Sequence, residues 1–189
     1  MKIYMKRLSI VLLILFSVIA CKEDTVTKPS AVLRLEYPEA SYIREALDGC
    51  PYHFDVNTNA TVIHKDNCWA NIEYPGMKAT VYLTYQRVNN NIDSLLRDAQ
   101  KLTYDHSIKA QTIIEQMRVD EDNDVYGMFY AIDGEAATQS QFYVTDSVKH
   151  FVTGSLYFKA KPNYDSIYPA VVYLQEDIRH IMETIKWEN

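Results

Sequence analysis

The chain has 189 residues, of which 48% are hydrophobic, 23% charged and 12% aromatic, with only 5 Gly and 6 Pro. That much apolar material excludes a disordered, collagen-like or low-complexity protein, because it can offset the entropy of ordering the chain. The length predicts one domain with roughly two thirds of its unfolded surface buried, and a net charge of −6 argues against a broad nucleic-acid surface, which needs clustered Lys and Arg.

Met1–Arg7 carries Lys2, Lys6 and Arg7 and no acid, and Leu8–Ala20 is then an apolar run of about thirteen residues. A helix needs roughly twenty to cross a bilayer. A basic start, a short apolar stretch and a small residue before a cut site together predict a secretory signal over residues 1–20. Ser17-Val18-Ile19-Ala20-Cys21 resembles a bacterial lipobox. Ala20 would precede the cut and Cys21 would take the diacylglycerol and an N-acyl chain such as palmitate. Ile19 is larger than the usual small residue at its place. Removing Met1–Ala20 takes the net charge from −6 to −9. Lys22-Glu23-Asp24 looks like the acidic tag that sends some lipoproteins of the Bacteroidota to the cell surface, although any solvated tether would carry such charges. Residues 21–32 read as a lipidated linker, with no hydrophobic periodicity and a proline at Pro29. Residues 33–189 read as one domain.

Cys50 and Cys68 would lie in an oxidising compartment, where disulfides persist. Tyr52, Phe54 and Val56 alternate with polar residues, Asn57-Thr58-Asn59 signals a turn, and Val62 and His64 alternate again, so the segment reads as a hairpin. A turn centred near Asn59 puts Phe54 opposite His64 and Cys50 opposite Cys68. A disulfide there would stabilise the fold by ~3 kcal/mol in the chain-entropy model, with two free buried thiols as the other reading.

Pro75-Gly76 marks a turn, and the β-branched and aromatic run over residues 78–86 predicts a strand. Asn89-Asn90-Asn91 offers an N-cap, and Ile92, Leu95, Leu96, Ala99 and Leu102 recur at helical spacing to about His106. Four strands are expected near 110–119, 124–132, 138–145 and 149–159, with breaks at Asp120–Asp124, Asp133-Gly134 and Asp146-Ser147, as an antiparallel meander. Asp165-Ser166 would cap a last helix, with Pro169 in its first turn. Val171, Leu174, Ile178, Ile181 and Ile185 form its apolar stripe, Gln175, Arg179, Glu183 and Lys186 its wet side, and Trp187 its end. The fold class is α+β, one antiparallel β-sheet covered by helices. The element order is similar to the PsbP/Mog1-like α-β-α sandwich, an analogy that rests on order alone.

Chemical motifs are few. Asp120, Asp122 and Asp124 begin like an EF-hand loop, but Val125 and Ala131 stand where Gly and Glu are needed, so a solvated turn is the favoured reading. His53, His64, His106, His150 and His180 show no zinc-site spacing. In the expected hairpin His53 and His64 would face opposite ways. Ser107, Ser140 and Ser155 lack a nucleophile elbow. No metal, cofactor or catalytic residue is expected. The 15 tyrosines are the unusual feature. Tyr74, Tyr85, Tyr104, Tyr126, Tyr143 and Tyr157 suit a core, and some suit a partner-binding face.

Cys68-Trp69-Ala70-Asn71-Ile72-Glu73-Tyr74-Pro75 resembles the signature of GldD, a gliding-motility lipoprotein family of the Bacteroidota. The resemblance continues through Leu83-Thr84-Tyr85, the Asn89–Asn91 cap and residues 101–110. It runs on through residues 141–147, His150-Phe151 and residues 154–158. It ends with Pro162-Asn163, Asp165-Ser166, Glu176-Asp177-Ile178 and Trp187. The resemblance implies a cell-envelope lipoprotein required for gliding and for the associated type IX protein secretion. It implies no catalytic motif, lipid on Cys21, and a match of Cys50 and Cys68 to family cysteines. The expected role is a non-enzymatic assembly or stability factor in the outer membrane, periplasmic or surface-facing. Its partners would be other gliding and secretion proteins, with no nucleic acid. Trp69, Tyr74, Tyr104, His106 and His150 are the candidate partner or ligand face. The alternative is a ligand-binding or small enzymatic domain with a pocket near Tyr104 and His106.

Overall fold

The computed structural model describes residues 37–106, 108–159 and 163–188. They fall within the compact unit Leu33–Asn189. The predicted signal, Cys21, the acidic tag and the linker lie outside the described residues.

Among the described residues ten strands form two sheets. β1 (Tyr42–Ala46), β2 (Tyr52–Asn57) and β10 (Lys186–Trp187) make a three-stranded sheet in the order β1-β2-β10. β3 (Thr61–Lys65), β4 (Trp69–Tyr74), β5 (Ala79–Arg87), β6 (Ala110–Asp120), β7 (Val125–Gly134), β8 (Ser140–Thr145) and β9 (His150–Phe158) make a seven-stranded antiparallel sheet. Its order is β3-β4-β5-β9-β8-β7-β6. Helix α1 (Ile92–His106) follows β5, and helix α2 (Tyr164–Thr184) follows β9.

The alternation of side chains along each strand sorts the core into two faces. Phe142, Val144, Val152 and Leu156 pack with Leu174, Ile178, Ile181 and Met182 of α2. Tyr52, Phe54 and Val56 of β2 join the same cluster. The intervening residue Phe151 points the other way, to Leu95 of α1, with Tyr143 packed alongside. The domain is therefore α+β with a helix on each face of its larger sheet. Gly154 serves this packing, because a Cβ there would overlap the Phe142 ring.

Several expectations are corrected. The fold has two sheets, not one. β2 and β3 do not pair: β2 bonds to β1 and β10, while β3 bonds to β4. Phe54 faces Glu45 and His64 faces Ala70. Tyr52, Phe54 and Val56 are fully apolar on their inner side, so β2 is drawn onto the core under α2 instead of extending the larger sheet. Cys50 and Cys68 nevertheless form a disulfide, with Cα atoms 5.5 Å apart. They precede β2 and β4, so the bond links the two sheets, and the Tyr52 hydroxyl donates to the Cys68 carbonyl at 2.7 Å.

α2 begins at Tyr164, behind Asn163, whose carbonyl accepts from the Ser166 and Ile167 amides. Pro169 therefore lies beyond the first turn. The Tyr164 hydroxyl donates to Asp133 at 2.8 Å, tying the helix start to β7. Arg179 is not simply wet: its guanidinium lies 4.8 Å over the Phe129 ring and donates to Glu176. Lys186 and Trp187 leave the helix and pair with His53 and Tyr52.

Candidate functional site

A cavity of about 560 Å³ opens where four separate segments meet. β2 supplies His53, and the β6–β7 turn supplies Asp122, Asn123 and Asp124. The β8–β9 turn supplies Asp146, Val148, Lys149 and His150, and β10 supplies Lys186 and Trp187.

Each wall is fixed by local chemistry. Asp146 accepts from the backbone amides of Val148, Lys149 and His150 at 3.0, 2.7 and 2.8 Å, which closes the turn that Asp-Ser predicts. Burial pushes its carboxyl up, but those amides outweigh it and hold it below the ordinary value. Asp120 caps the other turn, accepting from the Asn123 amide and side chain. Those bonds, with Arg118 at 2.8 Å, keep its carboxyl below the usual range. The Asp120–Asp124 run is thus a hairpin turn. Among the described residues no three His, Cys, Asp or Glu side chains gather as a metal site.

The third wall is aromatic. The Trp187 and His150 rings stack with centroids 5.1 Å apart, and the Trp187 indole donates to the Asp124 carbonyl at 3.0 Å. His150 Nδ1 lies 3.0 Å from the Tyr85 hydroxyl. Burial lowers the pKa of His150, opposed in part by the Asp146 charge. Tyr85 stacks on Tyr52, so an aromatic row runs from the core to the cavity rim. His53 reaches Glu188 through Nδ1 at 3.2 Å.

The residues expected to share one face are dispersed. His150 lines the cavity. Trp69 is 43% exposed and donates to the Tyr85 carbonyl, one strand away. Tyr74 is only 2% exposed and belongs to the main core, so it is not part of an outer face. Its neighbour is the buried carboxylate Asp177, which accepts from Tyr42 and from Asn57 at 2.7 Å each. Burial raises the Asp177 pKa against the pull of those donors. Tyr104 is 51% exposed on α1 and donates to Glu115 of β6, away from the cavity. The His106 side chain and Ser107 lie outside the described residues. His53, Lys149, Lys186 and Trp187 were not legible as a group, because they come from three distant stretches with no fixed spacing.

A second surface lies at the margin of the seven-stranded sheet. β6 is 11 residues long and, among the described residues, bonds only to β7. Met117, at 75% exposed, and Val119 lie on its α1 side, beside Met128 and Tyr126 of β7. With Leu96 of α1 they border a groove of about 270 Å³.

These features define a disulfide-linked α+β domain with helix–sheet–helix layering, an aromatic-walled polar cleft and one apolar sheet margin. The chain matches the family described as gliding motility lipoprotein GldD over residues 22–187, and it belongs to that family. Membership makes it a lipid-anchored envelope protein involved in gliding motility. No helix among the described residues is long and apolar enough to cross a membrane. No curated protein is similar enough in sequence to count as a match. A solved structure, the solution structure of cyanobacterial PsbP (CyanoP) from Synechocystis sp. PCC 6803, is similar with a TM-score of 0.46 and 10% identity, covering 79% of this chain and 94% of that one.

Proposed function

We propose that this protein is an assembly or stability factor, held in the outer membrane by acyl chains on Cys21. It supports gliding and the associated type IX secretion through contacts with other envelope proteins, without catalysing a reaction. The observation that carries this reading is the β6 margin. A long edge strand offers unpaired backbone N–H and C=O groups, and proteins usually cover or blunt such an edge. Here Met117 and Val119 of that strand are exposed. A partner strand laid along β6 would complete the ladder and bury that apolar strip.

The test is a clean deletion in the native bacterium, complemented by wild type, Cys21→Ser or Met117→Asp. Colony spreading and secretion of a type IX cargo are scored together. The deletion is expected to lose both and wild type to restore both. Each variant is expected to fail at normal protein levels. Spreading and secretion that survive the deletion would defeat the reading. Rescue by Met117→Asp would remove β6 as the contact.

A further inference from the structure

We propose that the cleft between Lys149, Lys186 and Trp187 binds an uncharged saccharide. Its volume, about 560 Å³, falls in the range of small-molecule sites. Its walls are already braced by the Trp187–Asp124 bond, the Asp146 turn and the Tyr85–His150 contact. Little ordering remains to be done on binding, which favours affinity.

The charge pattern selects the ligand class. Lys149 and Lys186 make no ion pair within 4.0 Å among the described residues. They line the same cleft as Asp122, Asp124 and Asp146, so carboxylates outnumber ammonium groups three to two. Asp146 Oδ1 takes up three amides, and those amides are thereby unavailable to an anion. A phosphate or sulfate would find no excess of positive charge, and a divalent cation no cluster of ligands. Sugar hydroxyls both donate and accept, and they suit a lining that mixes the ammonium donors of Lys149 and Lys186 with carboxylate acceptors. The stacked Trp187–His150 pair supplies the apolar surface on which the C–H face of a pyranose ring can rest. Beyond that pair only Val148 is apolar in the lining, so an apolar peptide side chain has no pocket to fill.

The experiment is saturation-transfer NMR on the full lipoprotein, purified in a detergent without a sugar headgroup. Cellotriose and triacetylchitotriose are the probes, and inorganic phosphate is the competitor. Ring protons of at least one trisaccharide are expected to receive saturation, and phosphate is expected not to displace it. Lys149→Ser, on an exposed turn, should weaken binding about tenfold, the equivalent of one lost hydrogen bond, at an unchanged melting temperature. Trp187→Ala should abolish binding, and Trp187→Phe should retain most of it. Silence from both sugars, displacement by phosphate, or full binding by Lys149→Ser and Trp187→Ala would each overturn the proposal.

Discussion

The face of the seven-stranded sheet under α2 and the face under α1 carry similar apolar residues, yet among the described residues only the first is closed. On the α2 side a 21-residue helix and the three-stranded sheet together cover the strands. One continuous core then runs from Leu47 to Ile185. On the α1 side a 15-residue helix works alone. It gathers Val88, Leu95 and Phe151, leaves Tyr130 and Ile132 in a separate group, and stops short of Met117 and Val119. A wide sheet needs a covering layer of comparable width. The small sheet supplies that width on one side, and among the described residues nothing equivalent covers the apolar margin on the other.

The contrast can be broken most strongly from the closed side. Ile178 is fully buried among both sheets. Ile178→Ala should destabilise the protein by about 2–5 kcal/mol, measured by urea unfolding of the full chain. A loss below about 1 kcal/mol would show that the closed core is looser than its packing implies.

Asp177, the polar exception in that core, should matter less. Asp177→Asn removes an acceptor from Tyr42 or Asn57 and should cost about 1–3 kcal/mol at neutral pH. Its carboxyl is raised in the folded state, so the folded protein holds that proton more tightly than the unfolded chain. The stability linked to the proton is fully present below the unfolded carboxylate pKa and is lost as pH rises through the folded one. The wild-type advantage over Asp177→Asn should therefore widen as pH falls toward the ordinary carboxylate range. A gap that narrows on acidification would contradict the burial-driven shift.

The smallest effect belongs to the open side. Met117→Asp should change stability by less than about 0.5 kcal/mol, since the side chain is already in water. A neutral melting curve together with failed complementation would separate contact from folding. A large loss of stability would mean that the margin is part of the core.

Much of this fold could be read along the chain. Val81, Leu83 and Tyr85 alternate, and Leu174, Ile178 and Ile181 recur at helical spacing, because burying one side of an element imposes its period on the sequence. The asparagines before Ile92 and the Asp-Ser turn before Lys149 announced themselves by backbone chemistry. β1, β4 and β10 did not. β10 has two residues, too few for any period, and exists because Tyr52 and His53 offer it a ladder. The hairpin expected from Tyr52 to His64 had the right alternation and the wrong partner. Periodicity states which side of a strand is apolar, not which strand lies beside it.

The candidate sites divide in the same way. His150 and Tyr74 were both expected on the partner or ligand face, and the burial of Tyr74 removed it. The cleft could not be foreseen, since His53, Asp124, Lys149 and Trp187 are brought together only when β2 pairs with β10 and two turns close over that end.

The sequence by itself determined the α+β class, the positions of both helices, the family and the cysteines able to pair, because each rests on local pattern or on ordered motifs. The tertiary structure decided that β2 leaves its neighbour β3 for the layer under α2, that the described residues close only one sheet face, and that four distant turns and strands wall a cleft. Those outcomes depend on which surfaces compete for burial, and that competition is settled only between elements, never within one.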